Sequence, residues 1–238
     1  MKSNSLVELF GIEKGDVVSI TGSGGKTTLL FALSEELKTC GRVLITTTTK
    51  IFTPSTERAD YRFTDLSDYY FVGADTVRVV LGVEDADTGK LLAPSDDVLQ
   101  RVAKDFDYIL IEADGSRNLP LKMWREGEPV ISSLTTKTIG VIPIQPYGRK
   151  AEADFIFNYE GFVATFGNGS VDCNIYREII QHRRGIFKNS RGSKILFINQ
   201  VECEAARCRA LRILSALSDA SITKTYGSLL KGDYYGID

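Results

Sequence analysis

Residues 17–30 place the tightest constraint on how this chain folds. They read Val-Val-Ser-Ile-Thr-Gly-Ser-Gly-Gly-Lys-Thr-Thr-Leu-Leu. A run of β-branched residues enters a glycine-rich turn, and a segment of helical apolar periodicity continues from there to Cys40. This order predicts a strand, a tight loop and a helix, which together form a phosphate-binding loop in many nucleotide-binding proteins.

The polar residues of this loop suit a nucleoside triphosphate with Mg2+. Glycines let backbone amides converge on phosphate oxygens, and the positive end of the following helix points at the same anion. Lys26 is expected to reach the outer phosphates and to act in catalysis, and the Thr27 hydroxyl to bind the metal ion. The predicted nucleotide-binding residues of the loop are Gly22, Ser23, Gly24, Gly25, Lys26, Thr27 and Thr28.

The loop departs from the full Walker A spacing at one position, because Ile20 stands where that motif has a glycine. What remains is Gly-x-x-Gly-Lys-Thr, a shortened loop of the kind that muramyl ligases carry. A turn with a purely structural role is the alternative. Such a turn would need neither a lysine nor two hydroxyls directly behind it, so the pattern favours nucleotide binding.

A second informative stretch, residues 108–116, is a hydrophobic run that ends in acids, as a Walker B strand does. Glu112 follows the run directly and Asp114 comes two residues later, so both side chains are expected on one side of the chain. We predict that both acids bind Mg2+ and act in catalysis. The alternative is two solvated acids in a turn.

Other polar residues are weaker candidates for the same site. Thr48 and Lys50 end a threonine-rich strand, where they are either β-branched filler or groups that face the metal ion and the phosphates. Lys122 and Arg117 are either surface charges or phosphate ligands, with Lys122 favoured. Trp124, the only tryptophan, is expected to pack rather than to stack on a base. His182, the only histidine, is expected to be structural.

Hydrophobic runs alternate with helical patterns along the chain, which predicts a three-layer α/β domain with a largely parallel sheet. Residues 1–238 are expected to form one such domain, because no linker or repeat divides them. The predicted C-cap of the first long helix is Gly41, residues 85–90 are a predicted hairpin turn, and Ser95 is a predicted helix N-cap. The C-terminal Gly-Asp-Tyr-Tyr-Gly is expected to be a loosely held tail.

Composition excludes several classes of protein. The formal net charge of −2 argues against a general nucleic-acid surface, and no apolar run is long enough to span a membrane. The four cysteines have no CxxC spacing, so neither a zinc site nor a disulfide framework is indicated. Without a convincing signal peptide, we expect a cytoplasmic protein.

These motifs together resemble the YqeC-like proteins, a family linked to selenium-cofactor biosynthesis and to selenium-dependent molybdenum hydroxylases. The resemblance rests on the segments 21–28, 46–50, 111–117 and 120–122, and on residues 199–202, where such proteins tend to carry an Asn-Lys-x-Asp element. It implies a P-loop NTPase-like fold and a part in maturing a selenium-containing molybdenum enzyme. The implied partners are the nucleotide and a molybdenum hydroxylase or its maturation factors.

The Asn199-Gln-Val-Glu202 segment leaves the choice between GTP and ATP open. In GTPases the acid of this element accepts hydrogen bonds from guanine, which slightly favours GTP here through Asn199 and Glu202. The alternative is that Asn199 caps the next helix and that Glu202 lies in its first turn. Three function classes follow: an NTPase that drives cofactor maturation, an ATP-dependent ligase or kinase, and a non-catalytic nucleotide switch that docks a partner.

Overall fold

The computed structural model describes residues 1–52 and 58–237. The strands are β1 (Lys2–Ser3), β2 (Val17–Gly22), β3 (Arg42–Thr47), β4 (Ile51–Phe52), β5 (Tyr61–Phe63), β6 (Val77–Leu81), β7 (Val83–Asp85), β8 (Lys90–Leu92), β9 (Tyr108–Glu112), β10 (Leu121–Lys122), β11 (Lys137–Pro143), β12 (Ile156–Phe157), β13 (Ser193–Asn199), β14 (Ile222–Ser228) and β15 (Asp233–Ile237). The helices are α1 (Leu6–Leu9), α2 (Lys26–Leu37), α3 (Asp96–Val102), α4 (Tyr159–Phe166), α5 (Cys173–Gln181) and α6 (Glu204–Ser215), with short 3-10 turns at Leu66–Asp68 and Ala103–Asp105.

Ten strands form the central sheet in the order β1-β15-β14-β13-β11-β2-β9-β3-β6-β5. Its eight strands from β14 to β5 are parallel, and β15 and β1 add an antiparallel edge. Strand β2 lies between β9 and β11, so the chain leaves the middle of the sheet towards both edges. A crevice at the carboxyl ends of the strands forms at such a reversal, and there doubly wound folds bind ligands.

Helices cover both faces of this sheet. Along β13, Ile195 and Phe197 pack with α1 and α2, whereas the alternating Leu196 and Ile198 pack with α5 and α6. Helix α3 packs on the second face through Leu99. The predicted three-layer α/β architecture with a largely parallel sheet is therefore confirmed, and it is consistent with a P-loop NTPase-like fold.

Three local predictions need correction. The C-terminal residues are not a loose tail, because β15 pairs with both β14 and β1. Helix α2 ends at Leu37 with Lys38 as its C-cap, so Gly41 does not cap it. A Cβ at Gly41 would instead lie 2.6 Å from Oδ2 of Asp107, which explains the glycine there. The predicted strand at 77–83 is two strands, since it breaks between β6 and β7.

Other predicted elements are confirmed. Strands β7 and β8 form the expected hairpin, and the Ser95 hydroxyl accepts a hydrogen bond from the Val98 amide as the N-cap of α3. None of the helices in residues 1–52 and 58–237 combines the length and apolarity that a bilayer crossing requires.

Candidate functional site: the loop between β2 and α2

At Gly22 and Gly24, in the loop between β2 and α2, both the backbone angles and the surrounding space require glycine. Gly22 and Gly24 have φ angles of 107° and 70°, in the left-handed region. A Cβ at Gly22 would lie 2.1 Å from the Val141 carbonyl oxygen, and one at Gly24 would lie 2.4 Å from the Pro143 ring. The loop is therefore packed against the end of β11, and larger residues would displace it.

The second half of the loop presents unused backbone donors. Among the described residues, the amides of residues 24–28 have no hydrogen-bond acceptor. They surround the N-terminus of the 12-residue helix α2, where the helix dipole adds positive charge. This concentration of free N–H groups suits an anion, and it is the feature expected of a phosphate cradle.

The first half of the loop is already committed to protein acceptors. The Gly22 amide donates to both carboxylate oxygens of Asp114 at 3.1 Å, and the Ser23 amide donates to the Val141 carbonyl at 2.9 Å. The Ser23 hydroxyl donates to the Pro120 carbonyl at 2.7 Å. Of the described loop residues predicted to bind the nucleotide, Gly24 to Thr28 are therefore the ones whose backbone amides remain free to donate to a ligand.

Lys26 lies folded over its own loop and is only 5% exposed. Its Nζ donates to the Gly22 carbonyl at 2.9 Å and lies 3.4 Å from Asp114 and 3.8 Å from Glu112. The lysine therefore occupies the centre of the cradle with two carboxylates as counterions. The structure brings all three predicted catalytic residues together.

Glu112 and Thr27 present two oxygen atoms at the mouth of the cradle. The Thr27 hydroxyl donates to Oε2 of Glu112 at 2.8 Å. Burial raises the pKa of Glu112 above its ordinary value of 4.5, although Lys26 and the Thr27 hydrogen bond act in the opposite direction. Burial therefore destabilises the ionised form of Glu112, and a bound cation would stabilise that form.

This pair fits a magnesium ion. Mg2+ typically takes one or two protein oxygens and completes its octahedron with phosphate and water. In the described part of the chain, no group of three or more His, Cys, Asp and Glu side chains is placed to hold a metal ion. A hydroxyl and one carboxylate beside free amides match the sparse donor set that Mg2+ accepts.

Asp114 is wholly buried and saturated with donors. Its Oδ2 accepts from the Thr21 hydroxyl at 2.9 Å, from Nζ of Lys122 at 3.1 Å and from Nε1 of Trp124 at 2.5 Å, besides the Gly22 amide. We call Asp114 with these four partners the Asp114 cluster. A carboxylate in this position braces the loop, and its oxygens have little capacity left for a metal ion.

The charges of the Asp114 cluster keep its acid ionised. Burial alone would raise the pKa of Asp114, but the positive charges of Lys26 and Lys122 and the Gly22 amide outweigh burial and hold that pKa below 3.8. Lys122 is itself fully buried, and it also donates to the Gly115 carbonyl at 2.6 Å and to Glu128 at 3.2 Å. Lys122 thus lies beside the cradle but is occupied by Asp114 and Glu128.

The threonine-rich strand end contributes less than its sequence indicates. The Thr48 hydroxyl donates to the Val130 carbonyl at 2.5 Å, and Lys50 forms an ion pair with Asp85. From this strand end, the Thr47 hydroxyl and the Thr48 amide donate hydrogen bonds to the main-chain carbonyl oxygen of Glu112, and not to its carboxylate. The predicted metal role of Thr48 remains a prediction that the geometry does not favour.

Asn199 connects three segments around the loop. Its Nδ2 donates to the Gly24 carbonyl at 2.8 Å, and its Oδ1 accepts from the Leu229 amide at 3.1 Å. Helix α6 begins at Glu204 with Cys203 as its N-cap, so Asn199 does not cap that helix and Glu202 precedes its first turn. This part of the alternative interpretation is wrong.

A cavity of about 390 Å³ opens beside the loop. Its lining residues come from four segments: Gly24, Asn118, Pro120, Gln145, Gln200 and Glu202. Glu202 lines this cavity, and within residues 1–52 and 58–237 its carboxylate accepts one long hydrogen bond, from the Ser228 hydroxyl at 3.4 Å. Carboxamides and one carboxylate next to a phosphate cradle suit a polar ligand.

The sequence did not predict that Trp124 forms hydrogen bonds within the site. Its indole N–H reaches both Asp114 and the Thr21 hydroxyl, at 2.5 and 3.2 Å, so the buried ring is also part of the polar site. Nothing in the spacing of Asp114 and Trp124 predicts this contact, because the chain between them turns through two left-handed residues, Arg117 and Asn118. Its packing role was predictable and its hydrogen bonds were not.

Comparison with known proteins decides the family. The sequence model of the YqeC protein family matches residues 18–160, which include the loop, Glu112, Asp114, Lys122 and Trp124. The chain belongs to the YqeC family. It is also 30% identical over 211 residues to the uncharacterized protein YqeC of Escherichia coli strain K12, covering 84% of this chain and 82% of that protein. The resemblance seen in the motifs therefore holds across most of this YqeC chain.

Proposed function

We propose that this YqeC family member binds a nucleoside triphosphate with Mg2+ in the loop between β2 and α2 and hydrolyses it. One observation carries the proposal: the free amides of residues 24–28, Lys26 and the Thr27–Glu112 pair all meet at the carboxyl end of the central strand β2. Phosphate oxygens need donors and positive charge, and a magnesium ion needs oxygens. The loop and the first turn of α2 supply the amides, Lys26 and the Thr27 hydroxyl, and the end of β9 supplies the Glu112 carboxylate.

The chain's own groups would act as follows. Lys26 would exchange the Gly22 carbonyl for an outer phosphate oxygen, since among the described residues that carbonyl is its one neutral acceptor. Thr27 and Glu112 would hold Mg2+, which when bound neutralises charge on the phosphates. Asp114 would remain with Gly22, Lys122 and Trp124 and keep the loop in shape.

The cellular role that we propose is a part in maturing a selenium-dependent molybdenum hydroxylase, with that enzyme or its maturation factors as partners. Support for this role comes only from the motifs that resemble the YqeC-like family. Support for the nucleotide comes from the geometry. Nucleotide binding and the cellular role therefore rest on independent support, and a result against one leaves the other untouched.

A ligase or kinase is the second candidate function. The observation in its favour is the 390 Å³ cavity that begins at Gly24, because an acceptor bound there would lie next to the phosphates. Such an enzyme would be almost idle with nucleotide alone. Phosphate release measured with and without candidate partner proteins or acceptors separates it from a plain NTPase.

Calorimetric titration of ATP and GTP, with and without Mg2+, tests nucleotide binding. Lys26→Ala removes the one cation inside the water-poor cradle, so triphosphate affinity should fall at least about tenfold while the protein stays folded. Lys14→Ala is the matched control, since Lys14 is an exposed lysine paired with Asp107 outside the loop. Equal affinity of a folded Lys26→Ala variant and the parent would refute the proposal.

The choice of base is tested by competition of GTP and ATP for one fluorescent nucleotide. We expect a modest preference for GTP, because the weakly bonded Glu202 carboxylate can accept from guanine and would be left unpaired by adenine. Glu202→Ala should abolish that preference without changing the affinity for ATP. A clear preference for ATP in the parent would show that Glu202 does not read the base.

A further inference from the structure

Two exposed arginines next to the cradle share one aromatic ring with Lys122, whose Nζ lies 5.5 Å from the centroid of Phe157. The guanidinium carbon of Arg117 lies 5.6 Å from the centroid of Phe157, and that of Arg125 lies 4.8 Å from it. Phe157 is held in β12, which pairs with β10, and β10 ends two residues before Trp124. We call Arg117, Arg125 and Phe157 the Phe157 platform.

These arginines differ from the other cations of the site in having no counterion. Lys26 has Glu112 and Asp114, and Lys122 has Asp114 and Glu128. Within residues 1–52 and 58–237, neither Arg117 nor Arg125 forms an ion pair, and both are exposed. Like charges around one ring repel each other, and an anion bound beside them would lower that cost.

Both arginines are held in place by the backbone around them. Arg117 and Asn118 are consecutive left-handed residues, with φ angles of 51° and 62°. The Lys188 amino group donates to the Arg125 carbonyl at 2.8 Å and to the Glu126 carbonyl. The main chain that carries both arginines is therefore restrained, so an anion bound there would have to order only their side chains.

The platform also adjoins the cavity beside the cradle. Asn118, the neighbour of Arg117, lines that cavity together with Pro120 and Gly24, and the Ser23 hydroxyl ties Pro120 to the phosphate loop. A molecule in the cavity can thus extend from the loop towards the platform. Gln145 and Gln200 line the same cavity and offer polar groups to such a molecule.

We propose that the Phe157 platform binds the anionic group of a second small-molecule substrate, a phosphate or a carboxylate, whose polar body lies in the cavity beside Gly24. This inference rests on the proposed function, because it places that substrate next to a bound triphosphate. Arginine is suited to both groups, since its planar fork donates two parallel hydrogen bonds to an oxyanion.

The test is calorimetric titration of inorganic phosphate and of citrate into protein already saturated with Mg2+ and a non-hydrolysable triphosphate. The parent should bind at least one probe, and the probe that binds tells a phosphate from a carboxylate site. The Arg117→Gln/Arg125→Gln double variant should bind it at least about tenfold more weakly. Arg209→Gln is the matched control, because Arg209 belongs to α6 and lies over the Tyr147 ring, and it has no ion pair within the part of the chain that the structure describes.

Several results would overturn the inference. Unchanged probe binding in the double variant would do so, as would an equal loss in Arg209→Gln, which would indicate general charge attraction. A fall in triphosphate affinity as large as the fall in probe binding would place the arginines on the nucleotide instead.

Failure of the proposed function is distinguishable. If the parent binds no triphosphate, the same probes are titrated into Lys26→Ala protein without nucleotide. A loss caused by the two arginine substitutions in that background still supports the anion site, whereas equal binding refutes it.

Discussion

At the residue scale, the two acids of the β9 motif have different tasks. Glu112 lies at the mouth of the cradle with Thr27 as its hydrogen-bond donor, whereas Asp114 is enclosed by five donors and cations. The sequence places them two residues apart and predicts a shared metal role. In the structure Glu112 accepts one side-chain hydrogen bond, from Thr27, whereas Asp114 is filled by donors that hold the loop, so the metal role that we propose is given to Glu112 alone.

The first prediction concerns Glu112 and pH. Magnesium needs the ionised carboxylate, and burial raises the pKa of Glu112 above 4.5. Acidification should therefore abolish the Mg2+-dependent gain in triphosphate affinity at a higher pH than an exposed glutamate would. Glu112→Gln should lose that gain at every pH. Titrations with and without Mg2+ across a pH series measure it, and a Glu112→Gln variant that still responds to Mg2+ would contradict the assignment.

The second prediction concerns Asp114. Asp114→Asn leaves Lys26 and Lys122 without their shared buried anion, so the free energy of unfolding should fall by about 3–5 kcal/mol. Because the folded-state pKa of Asp114 lies below 3.8, this stabilisation is present above that pH and is lost as pH falls through the folded-state pKa. Urea denaturation of parent and variant at several pH values tests both statements.

Asp154→Asn is the matched control for that measurement. Asp154 is an exposed acid, 3.5 Å from Arg149, and its loss should change stability by no more than about 0.5 kcal/mol. If Asp114→Asn is as stable as Asp154→Asn, the Asp114 cluster does not brace the loop.

At the element scale, the loop between β2 and α2 is held between strand ends. Val141 of β11 accepts the Ser23 amide, and Asn199 of β13 connects the Gly24 carbonyl to the Leu229 amide after β14. The loop conformation is thus fixed by strands that lie more than a hundred residues away in the chain. Local sequence alone does not determine it.

The third prediction concerns this connection. Asn199→Ala loses both hydrogen bonds, and Asn199→Asp keeps the acceptor for Leu229 but turns an anion towards the Gly24 carbonyl. Triphosphate affinity should fall about tenfold in the first variant and at least as far in the second, since each net hydrogen bond contributes about 1 kcal/mol. Asn174→Ala, an exposed asparagine of α5, is the control. Parent-like affinity in both Asn199 variants would contradict the prediction.

The elements that the sequence predicts well are those with local signals. Strand β9 is buried along its whole length, so it reads as a continuous apolar run, and α3 begins at a serine with two acids behind it. Strand β15 carries no such signal, because Asp-Tyr-Tyr-Gly-Ile is short and mixed. Its conformation depends on pairing with β14 and with β1, and no sequence pattern indicates that β1, at the other end of the chain, lies next to it.

The contacts of the Asp114 cluster could not be predicted from the sequence for a related reason. Glu112 and Asp114 belong to a recognisable motif, and Lys26 belongs to another. The contact between Trp124 and Asp114 depends on how the chain turns through Arg117 and Asn118, whose left-handed angles no periodicity indicates.

At the scale of the whole molecule, the two ends of the described chain close one edge of the sheet. The N-terminal amine of Met1 donates to the Gly236 carbonyl at 2.7 Å, and β15 lies between β1 and β14. Tyr235 stacks on Tyr226 with ring centroids 5.0 Å apart, and Tyr234 contacts Phe197 in the core. The segment expected to be a tail therefore carries part of the core.

The fourth prediction concerns that edge. Tyr234→Ala removes a 7% exposed ring from the α1–α2 face, so the free energy of unfolding should fall by about 3 kcal/mol. Lys2→Ala is the control at the same edge, since it removes only an exposed ion pair with Asp233. Chemical denaturation of both variants measures the difference. Equal stability would mean that β15 is dispensable after all.

The position of Trp124 makes the protein its own optical probe. The chain has a single tryptophan, and its indole N–H is bonded to the carboxylate that Lys26 also faces. Any ligand that draws Lys26 away changes the electric field along that indole, and with it the colour and yield of the emitted light. If the loop binds a triphosphate as we propose, stopped-flow fluorescence can follow its binding and release in real time without a label, with Trp124→Phe as the reference that lacks the signal.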